Sequence, residues 1–216
     1  MQVALTIDAE HPDRPTDRAR QNALDLLNLL REKGVSATFF VQGMWAYAYP
    51  DLAATIARDG HLIASHSYWH CVFTSLSDDG IADDFIRWRN VFANERIEGD
   101  FPQRQPLRGL APAQPFFRLP GSMGRHTPRI TEALRRAGCE HIHWTCGGND
   151  WVPGISAGQV AGEVISGVRR ASRPSVVLLH SWPNPTPTAL ETVLNGLDGQ
   201  AEFVRIDQLD ASDLPL

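Results

Sequence analysis

The chain has 216 residues, of which 43% are hydrophobic and 21% charged, and its net charge is −5 at pH 7. That composition is ordinary for a globular protein, and the length suits one large α/β domain or two small ones, of which a single domain covering residues 1–216 is expected. Lysine and arginine form no cluster, which argues against nucleic acid as a partner. No apolar run reaches the roughly 18 residues needed to cross a membrane.

The opening segment, Gln2 to Asp8, alternates, with Val3, Leu5 and Ile7 on one side, and reads as a strand. Thr16 or Asp17 then caps a helix carrying Ala23, Leu26, Leu27 and Leu30, which Gly34 ends. Ser36 to Val41 is a short apolar run rich in strand formers. Leu52 to Arg58 reads as helical up to Gly60, and His61 to Ser65 as the next strand. Ile81, Phe85, Trp88 and Phe92 recur at helical spacing. About Glu95 to Pro115, rich in Pro, Gly, Gln and Arg, reads as a long surface loop. Phe116 to Leu119 is strand-like. Thr127, Pro128 and Gly138 bracket another helix. His141 to Thr145 is a predicted strand, Val160 to Val168 a helix, Ser175 to His180 a buried strand, Leu190 to Leu197 a helix, and Glu202 to Ile206 the last strand.

About seven strands alternating with helices predict a parallel sheet covered by helices. A distorted (β/α) barrel is the expected fold, and a doubly wound open sheet is the competing one. No G-x-G-x-x-G or Walker sequence follows a strand, which weighs against a nucleotide-binding version of the latter. Three cysteines, Cys71, Cys139 and Cys146, are an odd number and far apart. They predict buried thiols in a reducing compartment rather than a disulfide framework. With no signal peptide visible at the start, a cytoplasmic location is expected.

His66 and His70 are four residues apart, a spacing that places both imidazoles on one face of a helical turn and within reach of one metal ion. Asp8 and Glu10 close the first strand. Histidine plus carboxylate with one open position is the usual make-up of a hydrolytic zinc site. Other polar candidates also fall at strand ends: Arg118 after Phe116-Phe117, Asp150 and Trp151 after the His141–Thr145 segment, and His180 after Ser175–Leu179. In a parallel barrel these ends share one rim, the rim that carries active sites.

The same residues resemble the polysaccharide deacetylases. Thr6-Ile7-Asp8 is similar to that family's opening T-F-D, and Gly34 to Gly43 to its second-strand segment. Gly60 to His70 matches G-H-x-I-x-x-H-[ST]-x-x-H. Arg118-Leu119-Pro120 matches R-x-P, Asp150-Trp151 the D-W motif, and Leu178-Leu179-His180 L-x-H. The resemblance implies a barrel of about seven β/α units and metal-dependent hydrolysis of an N-acetyl group on a sugar or related small molecule. It implies Glu10, His66 and His70 as ligands of one divalent ion, zinc first, with cobalt, nickel or iron as alternatives. It implies Asp8 as general base, held by Arg118, and His180 as general acid, held by Asp150. Trp151 and Leu178 would wall the acetyl pocket, and the backbone N–H of Gly121 would serve the oxyanion.

The chain departs from the commonest family pattern in three places. Asp8-Ala9-Glu10 stands where two adjacent aspartates are usual, which leaves open which carboxylate is base and which is ligand. Gly121 replaces an aromatic, and Cys71 a proline. These departures keep two alternatives in play: hydrolysis of another linear or cyclic amide, and a non-catalytic carbohydrate-binding barrel. His61 reads as structural. Phe39, Phe40, Phe116 and Phe117 read as core. Trp45, Tyr47, Tyr49 and Trp69 divide between core and a sugar-stacking rim, and His11 lies near enough to Glu10 to contact substrate. The expected partner is a small-molecule or oligosaccharide substrate; oligomeric state is unreadable.

Overall fold

The computed structural model describes residues 1–11, 15–92, 107, 110 and 116–216. The predicted loop from about Glu95 to Pro115 therefore lies outside the described residues, apart from Leu107 and Leu110. Eight strands are described: β1 (Gln2–Ala9), β2 (Thr38–Val41), β3 (Leu62–Ser65), β4 (Phe116–Phe117), β5 (Glu140–His141), β6 (Cys146–Gly147), β7 (Ser175–His180) and β8 (Glu202–Val204). Seven helices are described: α1 (Asp17–Lys33), α2 (Gly43–Ala48), α3 (Pro50–Arg58), α4 (Asp78–Phe92), α5 (Pro128–Arg136), α6 (Ala157–Arg170) and α7 (Thr186–Gly196). None is long and apolar enough to cross a membrane.

Every described strand pair is parallel, in the order β5-β4-β3-β2-β1-β7-β6, with β8 also against β1. The two ends of that order are consecutive in the chain. Ile142 N–H donates to the Phe117 carbonyl at 2.8 Å, and Thr145 N–H to that of Val176 at 2.9 Å. One run, 140–147, thus starts on β4 and finishes on β7, curling the sheet back on itself. Counted as one stave, it brings the total to seven. The open doubly wound alternative is excluded.

The predicted strand His141–Thr145 needs correction. His143 N–H turns away to the Pro215 carbonyl, so the middle of that segment joins no strand ladder. The short helix α2 escaped prediction, since six residues carry too little period to read.

Strand alternation divides the core in two. Val3, Leu5, Ile7, Phe39, Ile63, Phe117, Val177 and Leu179 face outward, onto Leu26, Leu30, Ile56, Val164 and Leu190 of the helices. Ala4, Phe40, Ala64, Phe116, Ile142 and Val176 fill the interior. Trp45 and Tyr49 are buried with the outer layer, and Trp69 is exposed. Helix α1 obeys its sequence signals: Thr16 Oγ1 accepts from Ala19 N–H at 3.1 Å, and Gly34 ends it at φ +64°.

Candidate active site

Inward parity on β1 gives Ala4, Thr6 and Asp8, so the residue after the strand, Glu10, points the same way. Asp8 is the register partner of His180, the last residue of β7. His66 follows β3 directly and Arg118 follows β4 directly. All the strands being parallel, these positions crown one rim, as the sequence predicts.

Glu10, His66 and His70 come together. Their ligand atoms all lie within 4.8 Å of one another. Glu10 Oε2 is 3.0 Å from His66 Nε2 and also meets His70 Nε2. Glu10 and His66 are buried, while the His70 side chain is 30% exposed, which gives the trio one open flank. His66 Nδ1 sits 2.9 Å from the Arg118 carbonyl. A carbonyl can only accept, so Nδ1 carries a proton, and in the neutral ring Nε2 turns a lone pair toward Glu10. A lone pair facing a buried carboxylate oxygen calls for a proton or a cation between them. The donor set therefore fits a divalent ion. Burial alone would raise the Glu10 carboxyl, but the hydrogen bonds and charges of His66 and His70 hold it well below its ordinary range. His66 responds in kind: burial pushes it down, and Asp8 and Glu10 lift it above its ordinary value.

The helical turn expected for His66 to His70 is absent. Residues 66–70 form an irregular bend in which Ser67 (φ +62°) and His70 (φ +58°) take left-handed conformations, uncommon outside glycine. The bend is held from α4 and α2. Asp84 accepts from Tyr68 N–H at 2.9 Å and from Trp69 N–H at 3.1 Å. Gly43 N–H donates to the Ser67 carbonyl at 3.0 Å, and Met44 N–H to that of Tyr68 at 3.2 Å. Asp84 was missed in the sequence, yet a signal exists. It falls between Ile81, Phe85 and Trp88 on the apolar stripe of α4, where an acid must have a partner. Burial lifts its carboxyl to about 6 against the two N–H donors.

Arg118 is fully buried. Its guanidinium donates to Asp8 Oδ1 at 2.8 Å, Thr6 Oγ1 at 2.7 Å, and the carbonyls of Ile142 at 3.3 Å and His143 at 3.1 Å, and it stacks over Phe40 at 3.9 Å. Asp8 Oδ2 is left toward the trio, 3.6 Å from His66 Nε2. Asp150 is buried and holds His180 twice, accepting from its backbone N–H at 2.7 Å and from Nδ1–H at 2.8 Å. Thr186 Oγ1, unread in the sequence, donates to Asp150 at 2.7 Å. Burial opposes the imidazolium, but the Asp150 hydrogen bond and the nearby Asp8 and Glu10 charges lift His180 to about 9.

Trp151 is 42% exposed and stands edge-on to His180, 5.4 Å between ring centroids. Leu178 is buried on β7 two residues before His180, opposite Thr6. Gly121 takes φ +56° in the 3₁₀ turn Pro120–Ser122 after Arg118. His61 is structural, its Nδ1 accepting from Ala37 N–H at 3.1 Å. A separate cavity of about 530 Å³, lined by Phe116, Arg135, His141 and Leu216 among others, gathers none of the candidate residues.

The polysaccharide deacetylase family model matches residues 1–98. A peptidoglycan-N-acetylglucosamine deacetylase of Listeria monocytogenes is 28% identical over 217 residues, covering 99% of this chain and 40% of that protein. A chitooligosaccharide deacetylase of a Bradyrhizobium strain is 28% identical over 163 residues, covering 74% of this chain and 65% of that one. The chain thus spans from two fifths to about two thirds of the length of these relatives. In fold, a family 4 carbohydrate esterase from Streptomyces lividans superposes with a TM-score of 0.75 at 24% identity, over 100% of this chain and 96% of that one. The family model and the named relatives point the same way as the resemblance read from the ordered motifs.

Proposed function

We propose that this chain, akin to the polysaccharide deacetylases in motifs, relatives and fold, is a metal-dependent hydrolase that removes the acetyl group from an N-acetylated sugar and releases acetate. The observation that carries this reading is the convergence of Glu10, His66 and His70 beside two further groups, Asp8 and His180, each held by a partner of opposite type, Arg118 and Asp150. A divalent ion bound by the trio would supply Lewis acidity toward the amide carbonyl and toward water. Zinc suits two imidazoles and a carboxylate, as do cobalt, nickel and ferrous iron.

The roles of the chain's own residues follow from the contacts. Arg118 takes Asp8 Oδ1, so Asp8 Oδ2 faces the trio and accepts the proton of the attacking water. The Asp150 bond occupies His180 Nδ1, so Nε2 is the atom that gives a proton to the leaving amine. Water's oxygen joins the acyl carbon, the C–N bond breaks, the acid product passes its remaining proton to the amine, acetate and the protonated amine leave, and the proton on Asp8 returns to His180 through solvent. Leu178 and Trp151 wall the acetyl group, and Gly121 lends its N–H to the oxyanion. The complete set of base, acid and ligands argues against a non-catalytic barrel. The unpaired thiols of Cys71, Cys139 and Cys146 support a reducing, cytoplasmic setting, which cell fractionation tests.

The test is acetate release by zinc- or cobalt-loaded protein from N-acetylglucosamine oligomers, smaller N-acetyl compounds, and a panel of linear and cyclic amides. Asp8→Asn is expected to lose at least 100-fold in kcat while still binding metal. Turnover of a cyclic amide without acetate release would transfer the same machinery to the alternative reaction. No turnover of any amide by metal-loaded protein would refute the reading.

A further inference from the structure

Glu10 has two oxygens, and the structure gives them different partners. Oε2 faces the imidazoles of His66 and His70. Oε1 accepts a hydrogen bond from the indole Nε1–H of Trp182 at 3.2 Å. Trp182 comes from the other side of the rim, two residues past His180, with its ring 6.2 Å from that imidazole. Its own backbone is fixed. Ser181 N–H donates to the Asp8 carbonyl at 3.0 Å, extending the β1–β7 ladder by one step. Pro183 follows and confines Trp182 to extended backbone. From α1, Asn22 reaches across: its Nδ2 donates to the Trp182 carbonyl at 2.8 Å and to Asn184 Oδ1 at 3.1 Å. Asn22 is buried beside Ala23 and Leu26, on a helix face where a leucine or alanine would serve packing better. Its amide is explained by that tether.

We propose that Trp182 is a positioning residue for the metal ligand Glu10, and that Asn22 holds Trp182 in place to do so. The indole N–H takes one carboxylate oxygen and leaves the other for the cation. Glu10 is thereby the ligand carboxylate, bound through a single oxygen, while Arg118 reserves Asp8 for proton transfer. Two carboxylates two residues apart are given separate tasks by two different donors. A lone glutamate side chain has one more rotatable bond than the aspartate more usual at this point of the family pattern, and the indole bond removes the freedom that bond adds.

This inference rests on the proposed metal site, and the experiment separates the two. Apoprotein is titrated with Zn²⁺ and Co²⁺ alone, in competition with a chromophoric chelator, and the Co²⁺ visible spectrum is recorded. Trp182→Phe keeps a ring of similar shape and deletes the donor. Its metal affinity is expected to fall about 10- to 100-fold, the usual consequence of losing a partner of a ligating group. The Co²⁺ spectrum is expected to change, and kcat to recover at saturating metal. Asn22→Ala, which leaves the indole intact, is expected to weaken affinity in the same direction and by less, with circular dichroism confirming the fold of each variant. Unchanged affinity and an unchanged Co²⁺ spectrum in folded Trp182→Phe would overturn the inference while leaving the metal site standing. Absence of binding by the wild-type protein would instead remove the site itself.

Discussion

Asp150 and His180 form the pair whose chemistry pH reports most openly. His180 is lifted to about 9, so it stays protonated and able to act as an acid through neutral pH. A histidine whose folded pKa exceeds its unfolded value contributes stability that is fully present below about 6.5 and is lost as pH rises through about 9. Activity follows the same group: its alkaline limb is expected near 9. Asp150→Asn removes the negative charge, so that limb is expected to move toward the ordinary imidazole value, near 6.5, with kcat lower at every pH. A pH–kcat profile checks this, and an unmoved limb would take the acid role from His180. At this scale the sequence was informative, because Asp8, His66, His70, Arg118, Asp150 and His180 each fall within a recognisable motif at or soon after a strand, and Glu10 shares the inward face of Asp8. Trp182, Asn22 and Thr186, which escaped, act through hydrogen bonds that span 172, 160 and 36 residues of chain. No local pattern marks such a contact.

The segment 66–70 departs most from the sequence reading. The spacing of two histidines suits a helical turn, and a bend with two left-handed residues achieves the same convergence. What decides between them is tertiary: Asp84 on α4 takes the N–H groups of Tyr68 and Trp69 and fixes the bend. Helix α2 presses on the same bend so closely that a Cβ on Gly43 would lie 2.4 Å from the Tyr68 ring. Asp84→Ala leaves one buried and one partly buried backbone donor unpaired, at a cost of about 2 kcal/mol. For a domain of this size that lowers Tm by roughly 4–8 °C. Because the bend carries His70, metal affinity is expected to fall as well, by about tenfold or more. Thermal unfolding and chelator competition measure the two effects. A variant that loses stability and keeps full metal affinity would show the bend to be self-supporting. Helices with caps and stripes, such as α1, were legible because their signals are local.

Seven staves with alternating inward and outward residues give the molecule two separate cores, and the chemistry sits on the inner one. The strand alternation was readable, and so was the expectation that strand ends share a rim. Closure was not, because it depends on the run 140–147, whose middle forms no ladder and whose two ends pair with strands 24 and 31 residues away in register. A ligand that binds the folded chain and not the unfolded one stabilises it. A divalent ion at a hundred times its Kd adds about 2.7 kcal/mol, or roughly 5–10 °C in Tm for a domain of this size. Chelation is expected to remove that increment, and Glu10→Gln to abolish it, in a differential scanning experiment with and without Zn²⁺.

The decisive measurement is acetate release from an N-acetylglucosamine oligomer as apoprotein is titrated with Zn²⁺. Activity is expected to rise linearly to one equivalent of metal, then level off, and to be absent throughout in Glu10→Gln. Equal turnover with and without the ion, or none from protein that carries one equivalent, would contradict the assignment of Glu10, His66 and His70 as the seat of the reaction.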